Sequence, residues 1–553
     1  MDKNITSAAL ASLLPLACSQ SPGDLGDLSA GDTDGAGSTL SGGSAVETST
    51  TAVTSGENST SGEESTSTDN GPKLDLSVPD AMPPGPLELT CDNLDLGDPT
   101  SVGCEFWTVA TPLFNRPVTS YGVGVGNPTD NEVTVTFEDL HGPGNTLREL
   151  GQFTIDPQAS ITVNINGADS LLGIEFESPM VGVNPGYAVR MVSTAPTTVM
   201  AITPVGGAPS VMPDASLLLP TNALGRNHIA IGYPGEGNWA IAVATEDGTT
   251  VTTPDGDYLL DAFDTVRIAL DVDGTGYGIG SDRPIAVFSG TLGSQIPSGM
   301  HFADHLEEQL LPLEAWGREY VAARHPVRPV GENPLGPEIV HWRLIAGAAN
   351  TTIAIDPPQP GVGNLVTLDT LGDFVEIVSA ESFLATSDQN FMVMQYMASC
   401  EVTDPDGENG GYCGGDMLLS DHDPLTGTGD PYMLQMIPTE QWLDETPFVT
   451  DVSYRHDFVT ITRRNGTEVE LGCLGVLDDE RFLQVGNTAF EVGHVFLDLD
   501  GEGGEGNCVD GQQYIRASEP ISIFVGGYDR AASYAYPGGL SVRTLWDPPD
   551  PAG

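Results

Sequence analysis

Positive charge is the scarcest property of this 553-residue chain. Against 78 acidic side chains stand 19 basic ones, of which only Lys3 and Lys73 are lysines, and the formal net charge is −59. Phosphate backbones and anionic headgroups repel so acidic a surface, which excludes nucleic-acid binding and membrane contact through a basic patch. Long apolar runs are lacking as well. None approaches the ~20 residues of a membrane-spanning helix, so any hold on a membrane has to come through a lipid anchor. The sequence patterns of common catalytic sites are also absent: there is no G-x-x-x-x-G-K, no H-E-x-x-H and no G-x-S-x-G. Gly122, Gly124 and Gly126 alternate in a strand pattern with no helix after them. They therefore read as a strand packed closely on a neighbour, not as a nucleotide fingerprint.

Cysteine is sparse and its spacing is informative. Ile5 to Ala17 form a short apolar stretch behind Lys3, ending in Leu13-Leu14-Pro15-Leu16-Ala17-Cys18. A small residue followed by Cys after leucines resembles a bacterial lipobox, with residues 1–17 removed and Cys18 lipidated. Pro15 stands where a leucine is usual. The other six, Cys91, Cys104, Cys400, Cys413, Cys473 and Cys508, fall into three sequence-local pairs with no C-x-x-C among them. Six cysteines allow 15 connectivities; neighbour pairing needs the fewest assumptions and fits structural disulfides in an oxidising compartment better than zinc or redox chemistry.

From Ser19 to Glu88 the chain is rich in Ser, Thr, Gly, Asp and Glu and has no aromatic residue. Such a segment buries too little apolar surface to offset its ordering entropy, so residues 18–88 are expected to form a disordered linker behind the lipidated Cys. Residues 89–546 read as a folded all-β region with a weak internal repeat. Gly122–Thr136, Ala240–Thr252, His341–Ile355 and Asp457–Leu471 share one hairpin pattern: an alternating apolar run, a turn rich in Asn, Asp or Gly, and a second alternating run. Later strands end each repeat at Thr198–Ile202, Pro284–Phe288, Phe391–Gln395 and Pro520–Phe524. The expected fold is four tandem antiparallel β-sandwich-like units, near 104–207, 214–295, 304–398 and 430–533, with a propeller-like ring of four large sheets as the competing arrangement. His301 to Leu311 is expected to be a short helix leading into Trp316-Gly317.

Two sets of polar residues suggest metal chemistry. On a helix, His301 and His305 share one face at metal-ligand spacing beside Asp304. Their expected role is nevertheless structural, in capping and packing the junction. Asp271-Val272-Asp273-Gly274, Asp404-Pro405-Asp406-Gly407 and Asp498-Leu499-Asp500-Gly501 each supply part of a calcium loop, the alternative being solvated acidic turns. No cofactor other than calcium is suggested.

Asp304-His305-Leu-Glu-Glu308-Gln309-Leu-Leu-Pro312 with Trp316-Gly317-Arg-Glu-Tyr320 resembles the IgGFc-binding protein N-terminal domain family. Thr245 to Val251, Arg283 to Gly290, Gly429 to Leu434 and Tyr534 to Gly539 are similar to further pieces of it, in the same order. With its lipobox-like start and Ser/Thr-rich linker, the chain resembles the bacterial members found in myxobacteria. The resemblance implies an extracellular binding or structural role, carries over no site residues, and does not imply immunoglobulin as the ligand.

The functional expectation is therefore a non-catalytic, lipid-anchored protein of the outer membrane or cell surface that binds an extracellular protein or glycan, as in adhesion. An exported carbohydrate-active hydrolase is one alternative, because paired carboxylates leave almost no trace in sequence. A purely structural envelope component is the other.

Overall fold

The computed structural model describes residues 90–552, except 93, 95–96, 115–118, 143–144, 208–209, 211, 301–302, 330–337, 400–428 and 531. All of these belong to the second of two compact units, Pro79–Gly553. Cys18, the linker before residue 90, the Cys400/Cys413 pair, His301 and the Asp404–Gly407 loop lie outside the described residues.

The strands are antiparallel throughout the named sheets, and one strand order recurs four times. The second recurrence is the simplest. Its long strand Gly278–Ser294 pairs through its first half with Gly225–Ile229 and Thr249–Thr253, and Thr249–Thr253 pairs in turn with Gly256–Leu260. Through its second half it pairs with Asn238–Ala244 and Asp304–Gln309, and Asn238–Ala244 carries Thr265–Ala269. Each module is thus two antiparallel layers held together by one shared long strand, four strands to a layer except that the fourth module adds Leu483–Gln484 to its second layer. Val189–Thr203 plays that part in the first module and Gln512–Asp529 in the fourth. In the third module the long strand is broken into Phe383–Ser387 and Phe391–Met397. There Asn390 turns its side-chain amide to the carbonyl of Trp316 and accepts from the Arg318 guanidinium, so the chain between the two strands follows the junction.

Alternation explains the outer strands. Val133, Val135 and Phe137 are buried while Thr134, Thr136 and Glu138 lie nearer the surface, the period of a half-buried strand. The inner strands break that expectation. In Asn238–Ala244 every residue is buried. Trp239, Ile241 and Val243 pack into a core shared with the first module, whereas Ala240, Ala242 and Ala244 face a second core to which all four modules contribute. Both faces of this strand are therefore packed, the larger side chains on one and the alanines on the other. Gly122 and Gly126 confirm the close-packed strand. A Cβ on Gly122 would lie 2.5 Å from the Val163 carbonyl oxygen, and one on Gly126 would lie 1.9 Å from Gln512 Oε1 of the fourth module.

Each module ends in a short closing strand: Asp214–Leu217, Asp304–Gln309, Met433–Gln435 and Ala532–Pro537. Successive closing strands touch one another and the last touches the first, which makes the four modules a ring. The expected helix at His301–Leu311 is corrected here. Asp304–Gln309 is a fully buried strand paired with Phe288–Ser294. Leu, Glu and Gln are good helix formers in isolation, but their side chains here satisfy neighbouring strands, and tertiary context outweighs propensity.

The joints between modules repeat. Gly103, Gly225 and Gly317 each face a proline on the elbow that enters the next module: Pro220, Pro312 and Pro438. A Cβ at any of the three would lie 2.2–2.3 Å from the proline Cβ. Trp316 Nε1 donates to the Leu311 carbonyl and Trp442 Nε1 to the Ile437 carbonyl, both at 3.2 Å, so two elbows are braced in the same way. The ring closes where residues 99–101 meet 540–542. Ser101 N–H donates to the Leu540 carbonyl (2.9 Å) and Val542 N–H to the Pro99 carbonyl (2.7 Å). Beyond the seam the chain runs across the third module, where Leu545 N–H donates to the Glu314 carbonyl and Trp546 Nε1 to the Leu313 carbonyl.

Candidate binding groove

The acidic side chains on the ring axis serve the fold. Adjacent closing strands meet at an angle that leaves backbone N–H groups without a strand partner, and buried carboxylates and amides take them up. Asp214 Oδ2 accepts from the N–H groups of Glu307 and Met433, each at 3.1 Å, so one carboxylate ties three modules. Glu308 Oε1 accepts from Gln435 N–H (2.9 Å) and its Oε2 from the Ser216 hydroxyl (3.0 Å). Gln435 Oε1 accepts from Leu311 N–H (3.0 Å), and Gln309 Oε1 from Leu219 N–H (2.9 Å). Burial holds the Asp214 and Glu308 carboxyls well above the usual carboxylate range, while the backbone donors pull the other way. Solvent does not reach them.

The sequence-predicted metal residues are placed apart. His305 lies in the closing strand, stacked on Trp239 at 6.0 Å, with Nε2 3.2 Å from Glu307 Oε2. Thr111 of the first module donates to that same oxygen at 2.5 Å, so the set welds modules one and two. Asp273 is held by the Arg343 guanidinium of the third module at 2.8 and 3.0 Å. Asp498 Oδ1 accepts from Gly503 N–H at 2.7 Å, and Asp500 is exposed beside His456. Among the described residues no group of three or more His, Cys, Asp or Glu is arranged to hold a metal ion. The disulfides Cys91–Cys104 and Cys473–Cys508 form as the spacing predicts.

An open groove of about 740 Å³ lies where the third and fourth modules meet. One wall comes from the turn Ala380–Ser382 and the segment with Arg324 and Val327; the other comes from Leu483–Asn487 with Val492 and His494. Leu483 is 73% exposed, a large apolar side chain at the rim. The Leu483–Gln484 strand is the edge of its sheet, paired only with Phe490–Leu499 in the strand order. Burial, with Arg324, His325 and Arg481 nearby, lowers the His494 pKa to about 3, so its ring is neutral and Nδ1 lies 3.0 Å from the Thr460 hydroxyl. The groove thus offers apolar surface, neutral hydrogen-bonding groups, the Arg324 guanidinium and the exposed Glu381 carboxylate. Sequence reasoning missed it, because Leu483-Gln-Val-Gly-Asn487 reads only as a short turn and the groove exists only once two modules meet.

The class is an all-β ring of four modules with an open groove between the third and fourth, and the family follows from comparison. Residues 214–527 match the family model described as IgGFc binding protein. That span is more than half of the 553 residues, and the chain belongs to this family. The human IgGFc-binding protein is 26% identical over 213 residues, 34% of this chain and 4% of the human protein. The chain therefore corresponds to a small part of that relative's length. No solved structure matches the chain.

Proposed function

We propose that this chain is an exported bacterial lipoprotein, anchored through Cys18 and carried by the 19–88 linker, whose ring of β modules binds an extracellular protein at the groove between modules three and four. The groove is the single observation that carries the binding reading. It falls in the size range of ligand sites, and it joins exposed Leu483 to polar groups from two modules. A protein partner is favoured over a glycan because the described lining residues include no Trp, Tyr or Phe on which a sugar ring would stack. The human relative's name also denotes a protein ligand, an immunoglobulin fragment. Binding is favoured over catalysis because the axial carboxyls of Asp214 and Glu308 are buried and committed to neighbouring donors.

The full chain is tested against immobilised secreted proteins, immunoglobulin Fc and a glycan panel, beside a Leu483→Asp variant with an unchanged melting curve. A protein ligand bound at least tenfold more weakly by the variant is the expected result. Glycan binding alone, carbohydrate turnover, or protein binding indifferent to Leu483→Asp would each overturn the reading. Anchoring is tested by protease shaving of intact cells with the natural chain and with Cys18→Ala. Shedding of the natural chain and loss of the variant from the membrane fraction support it. Protection until the outer membrane is broken would place the chain inside the envelope and remove adhesion.

A further inference from the structure

The ring seam lies inside a disulfide loop. Cys91 and Cys104 are 13 residues apart in sequence with their Cα atoms 5.9 Å apart. The seam residues lie between them: the Pro99 carbonyl accepts from Val542 N–H, Ser101 N–H donates to the Leu540 carbonyl, and Ser101 Oγ accepts from Leu540 N–H at 3.2 Å. Cys104 itself belongs to Gly103–Thr108, a strand paired with the long strand Val189–Thr203 at Gly103 and from Glu105 to Thr108. Cys91 Sγ sits 3.6 Å from the Ser193 carbonyl oxygen of that long strand.

We infer that Cys91–Cys104 is a load-bearing strap, which carries tension arriving from the N-terminal side directly into the first module and leaves the ring seam unloaded. Two covalent routes join residue 91 to residue 104. The backbone route is ~45 Å when drawn out, at about 3.4 Å per residue. The disulfide route spans 5.9 Å between Cα atoms. A pulled chain goes taut along the shorter route, so the longer one, which holds the seam bonds, stays slack. Without the disulfide the same pull acts first on the few hydrogen bonds of residues 99–101 and opens the ring one bond at a time. A second effect works without force. Closing the loop keeps the seam segment beside its partner, so its detachment gains little chain entropy.

The physiological use of such a strap rests on the anchored reading above, but its test does not, because force is applied from outside. The full chain is held between its N-terminus and a handle placed by a non-cysteine label at exposed Asp257 in the second module. The expected result has two parts. The oxidised chain gives no early extension. The Cys91→Ser/Cys104→Ser double variant gives a low-force step of about 40 Å before the first module unfolds, the length of the freed loop. Should the variant fail to fold, the natural chain under a phosphine reductant replaces it, since Cys473–Cys508 lies outside the pulled interval. A 40 Å step in the oxidised chain, or none in the reduced one, would overturn the inference. Faster hydrogen exchange at Ser101 and Leu540 on reduction, with the second module unchanged, is the expected force-free signature; equal exchange in both states would also count against it.

Discussion

Arg343 of the third module grips Asp273 of the second with two hydrogen bonds, Nη1 to Oδ1 at 3.0 Å and Nη2 to Oδ2 at 2.8 Å. The same guanidinium lies over the rings of Tyr233 and Phe374, at 4.5 and 4.3 Å from their centroids, and donates to the Gly232 carbonyl. Burial disfavours its charge, but the Tyr396, Asp273 and Glu376 interactions more than offset that and raise its pKa above the usual arginine value. Asp273, one aspartate of the Asp271–Gly274 stretch, is thus half of an inter-module clamp.

Arg343→Met is therefore expected to destabilise the chain by about 1–3 kcal/mol, since it removes the buried guanidinium's bonds to half-buried Asp273 and to the Gly232 carbonyl and empties the aromatic cage. Arg343→Lys is expected to restore less than half of that, because an ammonium cannot make the two-pronged contact. Denaturant unfolding of the natural chain and both variants measures this. Equal midpoints for all three would mean that the clamp contributes nothing.

The joint at Gly225 makes a second case. A Cβ there would lie 2.2 Å from the Pro312 Cβ, and the proline ring cannot swing aside. Gly225→Ala is expected to cost about 1–3 kcal/mol by overpacking. Gly97→Ala, where nothing lies within 4 Å, is expected to be neutral. Thermal melts of the two variants side by side separate this from a general intolerance of alanine.

How much of this was legible in sequence depends on which surface a residue meets. Outer strands such as Val133–Gly142 announce themselves, because one face meets the core and the other meets water. The all-β class was readable for that reason, and two of the disulfides from cysteine spacing. The four expected hairpins are corrected: in Gly122–Thr136, Ala240–Thr252, His341–Ile355 and Asp457–Leu471 the two runs enter different layers and pair with other strands, as Asn238–Ala244 does with Thr265–Ala269 and Thr249–Thr253 with Gly256–Leu260. Asp304–Gln309 was read as a helix because its side chains accept from backbone amides in other modules, and no local pattern encodes a neighbour 90 or 127 residues away. The Ala240-Ile-Ala-Val-Ala244 alternation was visible, but not that both of its faces are buried. The groove had no signal for a related cause: Arg324 and Leu483 come from different modules.

The end of the chain carries a third expectation. Trp546 Nε1 donates to the Leu313 carbonyl at 2.6 Å, and Leu545 N–H to the Glu314 carbonyl at 2.7 Å. Both acceptors lie on the Leu313–Ala315 turn, whose proline faces Gly225. Trp546→Ala is expected to lose about 1–2 kcal/mol through one hydrogen bond and the buried part of an indole. Hydrogen exchange should speed up at Leu545 and around residues 313–315, with the first module unaffected. Exchange that is uniform over the whole ring would show that the effect of the Leu545 and Trp546 contacts is not local.

The pair Asp498 and Asp510 gives a pH dependence with a definite sign. Burial and the hydrogen bond with Asp498 push the Asp510 carboxyl up to about 7. An unfolded chain has Asp near 3.9, so between roughly pH 4 and 7 the folded state holds a proton that the unfolded state releases. The stability this contributes is fully present below the unfolded value and is lost as pH rises through the folded one. The net charge of −59 acts in the same direction by self-repulsion, so only a comparison isolates the pair. Asp510→Asn keeps a neutral hydrogen-bonding group and removes the titration. Its melting temperature is expected to fall less than that of the natural chain between pH 4.5 and 7.5, with the variant the more stable of the two at the upper end. Parallel curves would mean that the two carboxyls do not share a proton in the folded ring.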